Sequence, residues 1–492
     1  MDNSYDRKTV RRGYLKQFVP KCQRAALAAL LVLSVAAARA AEPSPLSREL
    51  SGSYGHETAE FIRRLSRMHF GGSFSLNWRN VGPRKPGFET QIQNEVYLAD
   101  MYFGIDGAFI DGFPVQVETQ IPTANQGAPR LNQLNFGYRR VDDWLFQFGK
   151  FLVPFGRYNE LYRPDQFLTI TRPLLYASPD SLDLVVRLNS PRPPLSSGYT
   201  DIGARASYYP PIRRWWLPDE ATLFVVNGLG ENNNRQRTFP NTDNLGIPSI
   251  PGNGSNIDFG HLNNNMADNN NSKSIGGRLV FSLGDVRFPW PIPEGASDLK
   301  GMSLGLSGMG GQYDLESALN YQMYGLDFTF DYLGFNVAGE YLYGVNTFKD
   351  PEITSAGAVV NPTRFIQDTE INHGYFIQVA APLIRHPSIG QRLTGILLFN
   401  QMFRRGPIQD LLLNTTIDGV TYPSATALRP DAGRVTTRMD KYTAALNYQL
   451  SDHFGLKSEY SYWTMGHAST RQVNALGLVD IYQLAFSMVV GF

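Results

Sequence analysis

Segments that alternate apolar with small or polar side chains recur along this sequence, and they constrain the fold more than any other feature. In residues 69–80, one face carries aromatic and aliphatic residues, and the other carries glycine, serine, asparagine and Arg79. A period of two residues is the pattern of a β-strand with one apolar face. About sixteen such segments are predicted, at residues 69–80, 92–106, 107–121, 131–140, 143–152, 200–209, 220–228, 273–283, 300–310, 320–332, 334–345, 372–383, 391–404, 440–450, 453–465 and 479–492.

The connections between these segments follow a parity rule. The second, fourth, tenth and fourteenth connections are tight, whereas the fifth, seventh, eleventh and thirteenth are long. Short turns at one end and long loops at the other are typical of a membrane barrel with an even number of strands. Beyond the first 40 residues, no apolar segment reaches the roughly 18 to 20 residues of a membrane helix. The sequence therefore predicts an all-β fold: a transmembrane antiparallel β-barrel of about 16 strands.

The beginning of the chain has the composition of an export signal. A basic head is followed by an apolar stretch and by small residues at Ala38 and Ala40, which predicts a signal peptide over residues 1–40. A retained membrane anchor is the alternative. Residues 41–67 are interpreted as a periplasmic lead-in segment, either a short helix or disordered, and residues 68–492 as the barrel. The expected location is the outer membrane of a Gram-negative bacterium.

Composition agrees with a membrane barrel and argues against other classes. Aromatic residues make up 12% of the chain and charged residues only 18%, against about a quarter in soluble domains. The formal net charge of +1 does not favour nucleic-acid binding. The only cysteine, Cys22, lies in the predicted signal peptide, so no disulfide or cysteine-based metal site is expected.

No enzymatic motif and no cofactor site stands out. The seven histidines are scattered, no HExxH motif is present, and no GxSxG segment is present as a nucleophile elbow. Residues 229–272, rich in asparagine and glycine, are interpreted as a solvated surface loop. Their aspartates lack the spacing of a calcium loop. The sequence therefore predicts a protein that is not an enzyme and that needs no cofactor or metal.

The fifth connection is the main functional candidate. Long loops in compact domains usually have a function. In a barrel we expect this loop, the third outer loop, to fold into the pore and to restrict which solutes pass through it. It carries five arginines, and strand parity places four more on the polar face that lines a barrel. The predicted anion pathway is therefore formed by Arg79, Arg139, Arg157, Arg163, Arg172, Arg187, Arg192, Arg205 and Arg278.

Two alternatives to an anion channel remain open from the residues alone. The arginines could be neutralised by nearby acids, as in a general or sugar-type porin; the acids at hand are Glu160, Asp165, Asp180, Asp183 and Asp201. The chain could instead be a structural or adhesive barrel that displays its asparagine-rich loop to a partner.

The last segment ends in an aromatic residue. Tyr482, Leu484 and Phe486 begin an apolar face that continues in steps of two to Phe492. A terminal strand of this kind resembles the signal read by the outer-membrane assembly machinery, which is therefore an expected partner, together with outer-membrane lipids and small anionic solutes. No nucleic-acid partner is expected.

Several motifs also resemble those of the phosphate- and polyphosphate-selective porins, the porin O/P family. The resemblance spans most of the exported chain, and it is carried by GKFLVPFGRY, VVNGLG, SIGGRLVF, GMSLGLSG, NVAGEYLYG, KYTAALNYQLSDHFGLKSEYSYW and the final Phe492. It implies a sixteen-stranded trimeric anion channel with an arginine ladder, a lysine-lined funnel and a constriction formed partly by the third outer loop. This sequence departs from that pattern because no lysine follows Lys150 until Lys273. Phosphate is the first solute that the resemblance implies; because of this departure, another anion or a less selective set of small hydrophilic solutes stays open.

Overall fold

The computed structural model describes most of the predicted barrel. The described residues are 68–83, 94–99, 101–110, 112–121, 129–140, 143–176, 191–195, 198–210, 217–229, 272–283, 301–313, 319–332, 335–353, 359–386, 391–417, 420–451, 453–467 and 480–492. The predicted signal peptide, the lead-in segment 41–67, Arg187 and most of 229–272 lie outside them. Within the described part of the chain, no helix is both long and apolar enough to cross a membrane.

Nearly all regular structure in these residues is β-strand. The first eight segments are β1 (Met68–Pro83), β2 (Asn94–Leu98), β3 (Met101–Ile110), β4 (Phe113–Ile121), β5 (Arg130–Arg140), β6 (Trp144–Leu152), β7 (Thr200–Tyr208) and β8 (Glu220–Val226). The others are β9 (Ser274–Leu283), β10 (Gly301–Gln312), β11 (Asn320–Tyr332), β12 (Phe335–Ile353), β13 (Val359–His386), β14 (Gln391–Ile417), β15 (Val420–Ser451), β16 (Phe454–His467) and β17 (Asp480–Gly491). One short helix, α1 (Arg157–Glu160), follows β6.

The strands form one closed antiparallel sheet. From β3 to β17 each strand pairs with the next one in the chain, and β1 pairs with β17 from Ser73↔Gly491 to Pro83↔Ile481. Because β2 and β3 both pair with β1, they form one interrupted wall strand, and the seventeen segments make sixteen strands. The predicted sixteen-stranded barrel is therefore confirmed.

The two faces of the wall differ as the alternation predicts. On β6, Trp144 and Phe148 are 43% and 55% exposed, whereas Gln147 between them is 6% exposed. The outward face presents large apolar side chains around the barrel, including Phe70, Leu76, Phe136, Leu223, Ile275, Leu306, Leu326, Ile377, Leu397, Leu446, Leu456 and Phe486. The inward face carries polar residues covered by other protein, including Ser75, Asn77, Gln133, Thr222, Gln378, Asn400, Thr443 and Ser461. An apolar exterior around a polar interior is the pattern of a membrane barrel.

The predicted boundary between the second and third strands was wrong. The sequence suggested a break after Asp106, but β3 continues to Ile110 and the turn lies immediately before Phe113. Gly112 there adopts φ +82°, a left-handed conformation that favours glycine. The seven residues DGAFIDG include both the end of β3 and the turn that follows it. Their composition alone did not show where the strand ends and the turn begins.

The eleventh and thirteenth connections were also predicted incorrectly. Instead of long loops, β12 and β13 extend to Ile353 and from Val359, and β14 and β15 extend to Ile417 and from Val420. The residues between β14 and β15 are Asp418 and Gly419, a pair that favours a two-residue hairpin connection. These long connections are thus mainly extended β-ribbons.

Candidate functional site

The long connection between β6 and β7, called here the inner loop (residues 153–199), begins and ends at one point on the wall. Leu152 is paired with Thr200 across β6 and β7. The Val153 amide donates to the Tyr199 carbonyl at 3.0 Å. The buried Asn159 amide donates to the Val153 carbonyl at 2.8 Å and accepts from the Tyr199 amide at 2.8 Å. Asn159 thus closes the base of the loop.

The first anchor of the inner loop is Glu340, a buried residue on β12. Its carboxylate accepts hydrogen bonds from the Tyr158 amide, at 3.1 Å, and from the Tyr176 hydroxyl. Burial, together with the Glu340 charge, raises the pKa of the Tyr176 hydroxyl well above its ordinary value, so that group stays a donor. Gly156 adopts φ +68°, and a Cβ there would overlap the Glu340 carboxylate. The glycine of the PFG motif is therefore required for this approach.

A second set of anchors lies on β15 and β16. The Glu459 carboxylate accepts from the amides of Ile170, at 2.6 Å, and Thr171, at 2.9 Å. The Lys441 ammonium donates to the Arg172 carbonyl at 2.9 Å. The Lys457 ammonium donates to three loop carbonyls, those of Pro164 at 2.8 Å, Thr169 at 3.3 Å and Phe167.

Further anchors lie on other parts of the wall. On β4, the Glu118 carboxylate accepts from the Tyr162 hydroxyl at 2.5 Å. The Asn372 and Asn400 side chains, on β13 and β14, accept from the amides of Arg192 and Leu174 at 3.0 and 3.3 Å. A segment that bonds to strands on separate sides of a closed barrel lies inside it, as the sequence predicted for the third outer loop.

Apolar contacts also hold the inner loop against the wall. The buried loop residues Phe155, Tyr158, Phe167, Leu174, Leu175 and Tyr176 belong to the same core cluster as the wall residues Phe224, Tyr321, Leu342, Phe376, Leu398, Met402 and Trp463. The Tyr158 ring stacks on that of Tyr176 at 5.3 Å and meets the Phe376 ring edge-on at 5.5 Å. The apolar core of this protein therefore lies inside the barrel, between the loop and the wall.

The four predicted wall arginines lie in different surroundings. Arg79 forms an ion pair with Glu95. Arg278 is 5% exposed and lies 3.2 Å from the Asp327 carboxylate. Arg205 donates to the Gln147 side chain and to the Leu152 carbonyl at 3.5 Å. Arg139 is exposed near the end of β5.

The described loop arginines differ in the same way. Arg163 Nε lies 3.8 Å from the Glu118 carboxylate. Arg157, on α1, is exposed and donates to the Thr329 hydroxyl at 3.3 Å. Arg172 donates to the Tyr162 carbonyl at 3.0 Å. Arg192 is half-buried near the buried ion pair between Arg404 and Glu370.

Among the described residues, the acids that pair with these arginines are not the ones the sequence suggested. Glu95, Glu118 and Asp327 belong to the wall, whereas Asp201 accepts from the Tyr199 hydroxyl at 2.7 Å and from the Gly228 amide at 2.6 Å. Glu160 and Asp165 are exposed, and Asp180 and Asp183 lie outside the described residues. Within the described part of the chain, no carboxylate lies within 4.0 Å of the guanidinium groups of Arg139, Arg157, Arg172 and Arg205.

This part of the interior nevertheless carries both signs of charge. Glu160 and Glu220 act on Arg205 through space, beyond ion-pair distance, and Glu160 lies on the same helical turn as Arg157. Guanidinium groups held by neutral acceptors keep their full charge and can donate to the oxygens of a passing anion. The arrangement is suited to brief contact with small anions.

Sequence reasoning missed the groups that fix the loop. Glu118, Glu340, Lys441, Lys457 and Glu459 are polar residues at alternate positions of apolar strands, as KYT and KSEYS show. That pattern identifies inward-facing charges, but it does not say that they bind the loop backbone. The buried lysines on β15 and β16 therefore have a structural role.

Comparison with known proteins gives similarity of fold only. No family model and no curated protein matches this chain. Among solved structures, it is similar to the outer-membrane channel DcaP of Acinetobacter baumannii (TM-score 0.46, 9% identity, 86% of this chain and 97% of that chain). It is also similar to in-vitro folded OmpT of Vibrio cholerae in its trimer form (TM-score 0.44, 8% identity, 86% of this chain and 99% of that chain). A third similar structure is an anion-selective porin from Comamonas acidovorans (TM-score 0.43, 10% identity, 86% of this chain and 99% of that chain). At these values, the similarities do not identify what this chain transports.

Proposed function

We propose that this chain is an outer-membrane porin through which small anions diffuse passively, with inorganic phosphate or a related oxyanion as the expected solute. The observation that carries the proposal is the inner loop, which lies inside a closed polar barrel and brings Arg157 and Arg172 there without a described carboxylate at ion-pair distance. Arg139 and Arg205 on the wall share this property. A guanidinium group stays charged and offers several donors to oxyanion oxygens.

Selective passage requires contacts that attract a solute and still release it. Several weak sites in succession meet this requirement better than one strong site. Arg157 is the leading candidate for a contact in the constriction because it is exposed on the loop. Arg79, Arg163 and Arg278 are weaker candidates, since a wall carboxylate lies beside each of them. The roles of Arg187 and Arg192 stay predictions.

The cellular setting is part of the same proposal. The apolar outer face supports contact with membrane lipids, and the terminal aromatic Phe492 supports recognition by the assembly machinery of a Gram-negative outer membrane. A homotrimer and membership of the porin O/P family rest on the sequence motifs. A channel rather than an enzyme is the activity that this interior favours.

One observation favours a second candidate, a general porin without oxyanion preference. The ion pairs Arg79–Glu95, Arg163–Glu118 and Arg278–Asp327 balance part of the interior charge. In that case the remaining arginines would keep the pore polar and filled with water, but they would not select a solute. The adhesive alternative rests on the asparagine-rich loop 229–272, most of which lies outside the described residues, and it predicts no solute flux.

The test is solute release from proteoliposomes that contain the purified protein. We expect phosphate to leave faster than a neutral sugar of similar size, and Arg157→Ala to reduce that ratio several-fold. Arg392→Ala, which removes an exposed arginine at the start of strand β14, is the matched control and should leave the ratio unchanged. A wild-type ratio near one would reject the oxyanion preference, and no release of either solute would reject the channel.

A further inference from the structure

The outer face of the barrel carries a polar cluster that the pore does not use. The Tyr375 hydroxyl on β13 donates to the Gln401 side chain on β14 at 3.2 Å. The Gln401 amide donates to the Asp440 carboxylate on β15 at 2.8 Å. The Arg438 guanidinium donates to the other oxygen of Asp440 from Nε at 2.9 Å and from Nη2 at 2.6 Å. We call these four residues the outer polar cluster.

Strand register places this cluster on the outward face. Tyr375 is opposite Gln401, and Gln401 is opposite Asp440. Leu397 lies four residues from Gln401 along β14 and is 66% exposed. Tyr442 lies two residues from Asp440 along β15 and is 49% exposed. Residues an even number apart on a strand share a face. The cluster therefore shares its face with the apolar exterior.

A row of tyrosines sets the height of the cluster on the wall. Tyr442 is opposite Tyr462, and Tyr462 is opposite Tyr482. Asp440 lies one step beyond this row, toward the end of the barrel where the long connections emerge. Tyrosine rows of this kind mark the level where a membrane barrel leaves the hydrocarbon layer. The outer polar cluster is therefore at the level of lipid headgroups.

A second cation lies beside the cluster. Arg405 on β14 is exposed, and it is opposite Thr436, so that Arg438 is its diagonal neighbour on the same face. The Cα atoms of such neighbours are typically about 7–8 Å apart. At this separation the two guanidinium groups can contact two oxygens of one phosphate or two phosphates of one headgroup. The Arg438 side chain is 47% exposed although Asp440 holds it. The three charged groups Arg405, Arg438 and Asp440 sum to +1.

We propose that Arg405 and Arg438 bind the phosphate groups of an anionic glycolipid in the membrane leaflet next to the long connections. Charge complementarity identifies the partner: exposed arginines are unfavourable against hydrocarbon but favourable beside phosphate headgroups. Asp440, Gln401 and Tyr375 orient Arg438 toward that partner. The site goes beyond the proposed pore function, because it faces away from the barrel interior.

The test measures lipid binding to the full-length protein purified in detergent, by native mass spectrometry. The probes are bis-phosphorylated lipid A and dephosphorylated lipid A with the same acyl chains. We expect at least roughly tenfold tighter binding of the phosphorylated probe, and about a fivefold loss for Arg405→Gln or Arg438→Gln. Arg392→Gln, far along β14 from the cluster, is the matched control and should leave binding unchanged.

The proposal would be overturned by equal binding of the two probes, by an equal loss in the Arg392→Gln control, or by full binding of the phosphorylated probe by Arg405→Gln. A change in sedimentation of the arginine variants with unchanged lipid binding would also overturn it, because the face would then be a contact between copies of this chain. If Arg438→Gln does not fold, Arg405→Gln decides the matter, since no described residue forms an ion pair with Arg405.

Discussion

Replacing Lys457 by methionine tests whether buried lysines hold the inner loop in the pore. The ammonium group is buried and donates to the carbonyls of Pro164, Phe167 and Thr169, and it lies 4.9 Å from the centre of the Phe167 ring. Methionine has a similar length but no donor. The change therefore removes the charged contacts and preserves most of the packing.

The size of the effect follows from the hydrogen bonds that are lost. A hydrogen bond to a charged group contributes about 1.5–3 kcal/mol, so three of them give an upper range of about 4.5–9 kcal/mol. Methionine avoids the cost of burying a charge, which offsets part of this loss. We expect the docked position of residues 164–169 to be destabilised by about 3–4 kcal/mol. This corresponds to a decrease of roughly a hundredfold to a thousandfold in the equilibrium ratio of docked to undocked loop.

Single-channel recording in planar bilayers measures the consequence. Lys457→Met should give a larger and noisier conductance than the wild type, while the folded barrel still migrates as a compact species on an unheated gel. Lys273→Met, a change at an exposed lysine beside the start of β9, is the control and should behave as wild type. Conductance and noise equal to those of the wild type would refute the anchoring role of Lys457.

Three further substitutions test other parts of the site. Gly156→Ala should loosen the loop, because its Cβ would overlap the Glu340 carboxylate in a left-handed conformation, and it should speed proteolysis within the loop relative to the wild type. Arg157→Ala should lower the anion-to-cation permeability ratio in bilayer recordings, and Glu160→Gln, on the same turn, should raise it; equal shifts in one direction would contradict this. Arg278→Ala should destabilise the barrel by about 3–5 kcal/mol, because it removes the ion-pair partner of the buried Asp327 carboxylate, which denaturant-induced unfolding in detergent would detect; Arg139→Ala, at an exposed position, should have little effect.

The wall of the barrel was predictable because its signal is local. Alternation along 69–80 and 144–148 follows from one apolar and one polar face, and the structure has both faces as predicted. The extended ribbons of β14 and β15 had a local signal as well, the Asp418–Gly419 pair between β-rich segments, which the loop interpretation overlooked.

The interior of the site was not predictable in the same way. Tyr158 and Glu340 are 182 residues apart in the sequence, and Lys457 and Pro164 are 293 residues apart. Nothing near any of these positions indicates its partner, because closure of the barrel brings them together. No local pattern pairs Arg163 with Glu118 rather than with Asp165, a much nearer acid in the chain. Arginines could be placed on faces, but their partners could not be assigned.

The most direct test of the proposed function is the reversal potential of the wild-type channel in a planar bilayer under a salt gradient, followed by titration with phosphate. An anion-selective current that phosphate reduces is the predicted result, since the arginines without a nearby carboxylate would bind phosphate and slow chloride. A cation-selective current, or the absence of conductance from folded protein, would contradict the account.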